Sequence, residues 1–142
     1  MTTLSENVKR NFEFGADPLY NDIPVIAADI IYEGAAVGES GSAGTARPLV
    51  AADTFLGFAA AKADNAAGSA SAINVRVRER GRVQLAVTGV VSTADVGATV
   101  YADDDDSFTL TSSSNTAIGK IVRWVTSTTV IVAFESAQQR SI

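Results

Sequence analysis

Residues 72–90 read AINVRVRERGRVQLAVTGV, and the rhythm of this stretch decides the fold. Ile73, Val75 and Val77 alternate with Asn74, Arg76 and Arg78, the period of two that places one set on an apolar face and the other on a polar one. After Gly81 the pattern repeats through Val83, Leu85 and Val87, so a tight hairpin is predicted at the glycine.

The same rhythm continues towards the C-terminus. Residues 95–114, DVGATVYADDDDSFTLTSSS, predict a hairpin in which Thr99–Ala102 and Phe108–Thr111 flank four aspartates. Residues 117–136, AIGKIVRWVTSTTVIVAFES, predict another, with Ile118–Thr126 and Thr129–Phe134 turning through Ser127 and Thr128. Towards the N-terminus, Ile23–Val37 reads as one or two strands, with Pro24 at a strand start or an edge because it has no N–H to give. GESGSAGTARP is a Gly/Ser loop, Arg47–Val50 begins a strand, and AADT forms a tight turn. Phe55–Lys62 is ambiguous, since its alanines favour helix while Gly57 and the neighbouring strands favour sheet. It is assigned to a strand. Many short strands separated by turn residues predict an all-β fold, either a jelly-roll-like β-sandwich or a small β-barrel.

The chain has 142 residues, which fits one compact domain. Residues 1–22 are expected to form an extended N-terminal arm, and residues 23–142 a single β domain. Phe12, Phe14, Leu19 and Tyr20 are spaced along the arm without a clear period. Two readings are open: they dock on the parent domain, or they lie on a neighbouring protein. The net charge of -5 argues against direct nucleic-acid binding, which requires a basic face. There is no cysteine, so the fold needs no disulfide. Neither a signal-peptide pattern at the N-terminus nor an apolar run of about 20 residues is found, so no membrane partner is expected.

Histidine is absent as well, which removes most nucleophile–base pairs and metal-ligand sets. No phosphate-binding glycine loop occurs. No enzyme activity, cofactor or metal is therefore expected. Asp103–Asp106 is the most conspicuous polar cluster. It lacks calcium-loop spacing and reads as a solvated hairpin tip. Arg76, Arg78, Arg80 and Arg82 share a strand face if no bulge intervenes, with Glu79 as partial counter-charge. That strip is either a solvated face or a contact for an acidic surface or a neighbouring subunit. Trp124 falls on the face of Ile118, Lys120 and Val122 by strict alternation and reads as a core residue. Phe12, Phe14, Tyr20, Arg76, Arg78, Arg80 and Arg82 are the candidate contact residues.

Taken in order, ARPLVAADTFLGFA, VRVRERGRVQLAV, DVGATVYADDDDSFTLT, NTAIGKIVRWV and VIVAFE resemble small capsid decoration (cement) proteins of tailed bacteriophages. The resemblance spans roughly residues 23–135, and VGATVYADDDDSFTLT and IGKIV are its most telling pieces. It implies a structural virion protein on the outer face of an assembled head, clamping neighbouring major-capsid subunits. It also implies a homo-oligomer, with a dimer favoured and a trimer as the alternative. The other expectation is a phage tail, fibre or adhesin-type β-module binding a host receptor or carbohydrate.

Overall fold

A computed structural model of the chain describes residues 4–13, 19–41 and 44–137. Twelve strands are found among them: β1 (Phe12–Glu13), β2 (Leu19–Pro24), β3 (Asp29–Ile31), β4 (Ala36–Glu39), β5 (Ala46–Pro48), β6 (Thr54–Ala59), β7 (Ala63–Asn65), β8 (Asn74–Thr88), β9 (Thr99–Ala102), β10 (Phe108–Thr109), β11 (Thr116–Thr126) and β12 (Thr129–Glu135). A single 3₁₀ turn, Thr93–Asp95, is closed by a capping box between Ser92 and Asp95. The expected all-β class holds. Phe55–Lys62 does contain a strand, because β6 is sandwiched between β4 and β8 and that pairing overrides the helix propensity of its alanines.

Strand β8 organises the molecule. Its C-terminal half joins β12, β11, β9 and β10 in order, and β10 pairs back onto β8 in parallel, which closes a five-stranded barrel. Val83, Leu85, Val87, Val100, Ile118, Ile121, Val130 and Val132 fill that barrel, and Phe55, Phe58, Phe108 and Phe134 pack with them in the same core. The rings of Phe58 and Phe134 meet edge-to-face at 4.9 Å, the arrangement that aromatic quadrupoles favour. The N-terminal half of β8 pairs with β2 and β6, and β6 leads on to β4 and β5. A parallel bridge between Val25 and Ala46 brings β5 back to the end of β2. These strands enclose a second core of Ile23, Val25, Ile31, Val37, Leu56, Val75 and Val77. One strand thus lends Val75 and Val77 to one core and Val83, Leu85 and Val87 to the other.

The hairpin predicted at Gly81 does not form. Residues 74–88 run as one strand, about 50 Å along its contour. Gly81 has a φ of 147° and lies opposite Phe134 in β12, with the Phe134 ring 3.7 Å from where a Cβ would stand. The glycine bends the strand over a large ring where a turn was expected. The other two predicted hairpins are present, β9–β10 and β11–β12, the latter turning through Ser127 at a φ of 50°.

Bulges in β11 alter the reading of Trp124. The pairing slips between Ala117 and Gly119 and between Ile121 and Arg123, so strict alternation fails. Trp124 is half-buried at the margin of the barrel core, and its Nε1 donates to the Ser127 carbonyl at 3.0 Å.

Candidate interaction surface

Because β8 passes through Gly81 without a turn, Arg76, Arg78, Arg80 and Arg82 lie on one face of a single strand, opposite the buried Val75, Val77 and Val83. Glu79 belongs to the other face and is buried. The four arginines meet different environments. Arg76 holds Asp22 in a fork through its Nε and Nη2, at 3.0 and 3.3 Å. That hydrogen bond keeps the Asp22 carboxyl below its ordinary range. Arg78 is half-buried, donates to the Tyr20 hydroxyl at 2.8 Å, and stacks its guanidinium 4.5 Å from the Phe12 ring and 5.3 Å from Tyr20. Arg80 and Arg82 are exposed.

The predicted arm lies against the domain over its described residues. Leu19–Asp22 belong to β2, and Phe12 and Glu13 pair with Val83 and Arg82. Phe12 packs edge-to-face on Phe58 at 6.2 Å and on Phe134 at 6.0 Å. Of the two open readings, docking on the parent domain describes it. Tyr20 is 40% exposed, with Arg76 and Arg78 against its ring. Phe14 lies outside the described residues.

Residues 4–13 form a strap across both halves of the molecule, fixed mainly by charge and backbone hydrogen bonds. The Val8 N–H donates to the Glu33 carbonyl at 2.8 Å, and the Asn7 side chain accepts from the Glu33 N–H. Arg10 donates to the Gly34 carbonyl at 2.8 Å and to Asp106 at 2.6 Å, with its guanidinium over the Phe108 ring. Glu13 pairs with Arg123 on β11. Gly34 is required where the strap crosses, since a Cβ there would collide with the Val8 carbonyl oxygen.

The aspartate run is the strap's anchor, and it is the solvated tip that the sequence predicts only at Asp103 and Asp106, which are exposed. Asp104 is buried, and Asp105 is 1% exposed. The Asp105 carboxylate accepts the Leu4 N–H at 3.0 Å through one oxygen, while its other oxygen is buried with no hydrogen-bond partner among the described residues. Burial is the main cause that pushes its pKa up to about 6, reinforced by the neighbouring charges of Asp104 and Asp106. Asp104 accepts the Asp106 N–H at 2.8 Å, an Asx-type turn that tightens the tip. The tip is drawn inward because Asp104 bridges to Val50, the Asp105 carbonyl accepts the Ala36 N–H, and the strap lies over it. None of these partners is within 50 residues of the run in sequence.

Two features of the outer surface escaped the sequence reading. Val91, Val96 and Val125 are exposed near one end of the barrel, where the β11–β12 turn meets the end of β8. Lys120 stands on the outer face of β11, in register with Ala133 of β12 and, beyond it, Arg82 of β8. Strict alternation puts Lys120 on the face of the buried Ile118; the irregular register of β11 turns it outward, and its neighbours follow from the strand order. Among the described residues, no group of three or more carboxylates is arranged to hold a metal ion, and no helix is long and apolar enough to cross a membrane. No family model, curated protein or solved structure matches the chain.

Proposed function

We propose that the protein is a structural virion component that binds the outer surface of an assembled phage head and cements neighbouring major-capsid subunits. The observation that best supports this reading is the division of labour in the molecule. Its interior is two apolar cores tied together by β8, and its distinctive chemistry lies outside, on one face of that same strand. A rigid body with a long decorated face offers contact area, and contact area repeated over a lattice is what cementing requires. A partner that binds only the assembled lattice stabilises that state by mass action. Modest affinity per position is enough when many positions act together.

The carbohydrate-binding alternative is less well supported. It needs exposed aromatic rings grouped on one face, whereas Tyr20 is the one exposed aromatic among the described residues and its ring is taken up by Arg76 and Arg78. The test is to incubate purified protein with undecorated heads and measure the bound protein by sedimentation. Saturable binding to heads, with none to unassembled capsid subunits, supports cementing. Binding to host-cell envelopes with bare heads would favour the receptor reading.

A further inference from the structure

Among the described residues, the cations divide into two groups. Lys9, Arg10, Arg47, Arg76 and Arg123 each form an ion pair, with Glu33, Asp106, Asp53, Asp22 and Glu13. Lys62 sits over the Tyr32 ring, and Arg78 lies against Phe12 and Tyr20. The remaining three, Arg80, Arg82 and Lys120, make no ion pair and no ring contact, and all three line one groove on the outside of the barrel.

The groove follows from the register. Arg82 is directly opposite Ala133, and Ala133 is directly opposite Lys120, so the three side chains stand in a row on the same face. With about 4.8 Å between adjacent strands, Arg82 and Lys120 start roughly 10 Å apart with only a methyl group between them. Two adjoining depressions, of 660 and 310 Å³, meet at Ala133 and Glu135. Arg80 and Arg82 edge the first, and Lys120 edges the second. Glu135 lies opposite Arg80, and Glu13, already paired with Arg123, lies beside Arg82.

We infer that this groove receives a carboxylate side chain from an acidic segment of a partner protein, held over Ala133 between Arg82 and Lys120. Arg80, Arg82 and Lys120 carry three positive charges against the two carboxylates, Glu13 and Glu135, that line the same depressions, and on a chain of net charge -5 this local excess marks a place where one negative group is favoured. The row accommodates one carboxylate, and an arginine fork can bind it through two parallel hydrogen bonds. Glu13 beside Arg82 and Glu135 opposite Arg80 offset part of this charge, so the row takes a single carboxylate on a flexible side chain and not a run of closely spaced phosphates. The inference rests on the capsid-binding reading only for the identity of the partner, not for the chemistry of the groove.

The test is a titration of the ¹⁵N-labelled full chain with N-acetylated hexaglutamate, followed by amide chemical shifts. Hexalysine and hexathymidylate are run in parallel. Shifts centred on Arg82, Lys120 and Ala133 are expected with hexaglutamate alone. The R82Q/K120Q double variant is expected to weaken binding about tenfold, in line with the modest worth of two exposed ion pairs. Ala133→Leu, which fills the row while leaving every charge in place, is expected to weaken it as well. Unmoved amides at Lys120 and Ala133 at millimolar hexaglutamate would overturn the inference, as would equal or tighter binding of hexathymidylate. Hexaglutamate binding with bare heads would count against the capsid reading and leave the groove standing. Head binding unaffected by R82Q/K120Q, with no hexaglutamate binding, would do the reverse.

Discussion

Asp105 shows how far one side chain can depart from what its neighbours in sequence suggest. Four consecutive aspartates read as a solvated tip, yet Asp105 is sealed beneath the strap, one oxygen on the Leu4 N–H and the other without a hydrogen-bond partner among the described residues. Its folded pKa of about 6 lies above the ordinary carboxylate value of about 3.9. The folded state therefore holds the proton more tightly than the unfolded chain. Ionised Asp105 destabilises the fold at neutral pH, and the penalty shrinks as pH falls through 6, nearly vanishing near pH 4. Asp105→Asn keeps an acceptor for Leu4 and removes the charge. It should raise unfolding stability by about 1–3 kcal/mol at pH 7.5, with little gain near pH 4, as measured by urea denaturation at both values. Arg10→Ala should act oppositely, costing about 1–3 kcal/mol through loss of the Asp106 pair, the Gly34 bond and the stacking on Phe108. Both effects read the strap's attachment at single positions.

The strands were largely legible because alternation is a local property. The hairpins β9–β10 and β11–β12 and the shared face of Arg76, Arg78, Arg80 and Arg82 all follow from residues adjacent in the chain. The misreadings share one physical cause, which is that pairing partners are distant. Gly81 resembles a turn glycine until Phe134 is placed opposite it, and Trp124 resembles a core residue until the bulges in β11 break its alternation. The strap was undetermined for the same reason, since Arg10 and Asp106 are 96 residues apart. In the candidate surface, the arginine strip was readable but the Arg82–Ala133–Lys120 row was not, because it spans three strands whose order is set by barrel closure. At this scale, Phe12→Ala should cost about 2–3 kcal/mol, since β1 presents its ring to Phe58 and Phe134 across the strap. Thermal unfolding would check it. Removal of an arm that does not touch the domain would leave the midpoint unchanged.

For the whole molecule, β8 makes two cores mechanically one. A load applied to the arginine face passes along a strand hydrogen-bonded to β2, β6, β12, β1 and β10. Closure of the barrel also leaves little strand edge for pairing between copies. Self-association through the barrel would then use side-chain faces, and the homo-oligomer that the resemblance implies, a dimer ahead of a trimer, would be visible as a discrete species in sedimentation velocity. The same design carries the proposed role: a stiff body, a cationic groove outside it, and a strap that ties both halves together. The most direct measurement is electron cryo-microscopy of undecorated heads after incubation with the protein. Ordered external density at regular lattice positions, with the face of Arg80, Arg82 and Lys120 turned towards the shell, is the expected result. Heads that remain bare at saturating protein would contradict it.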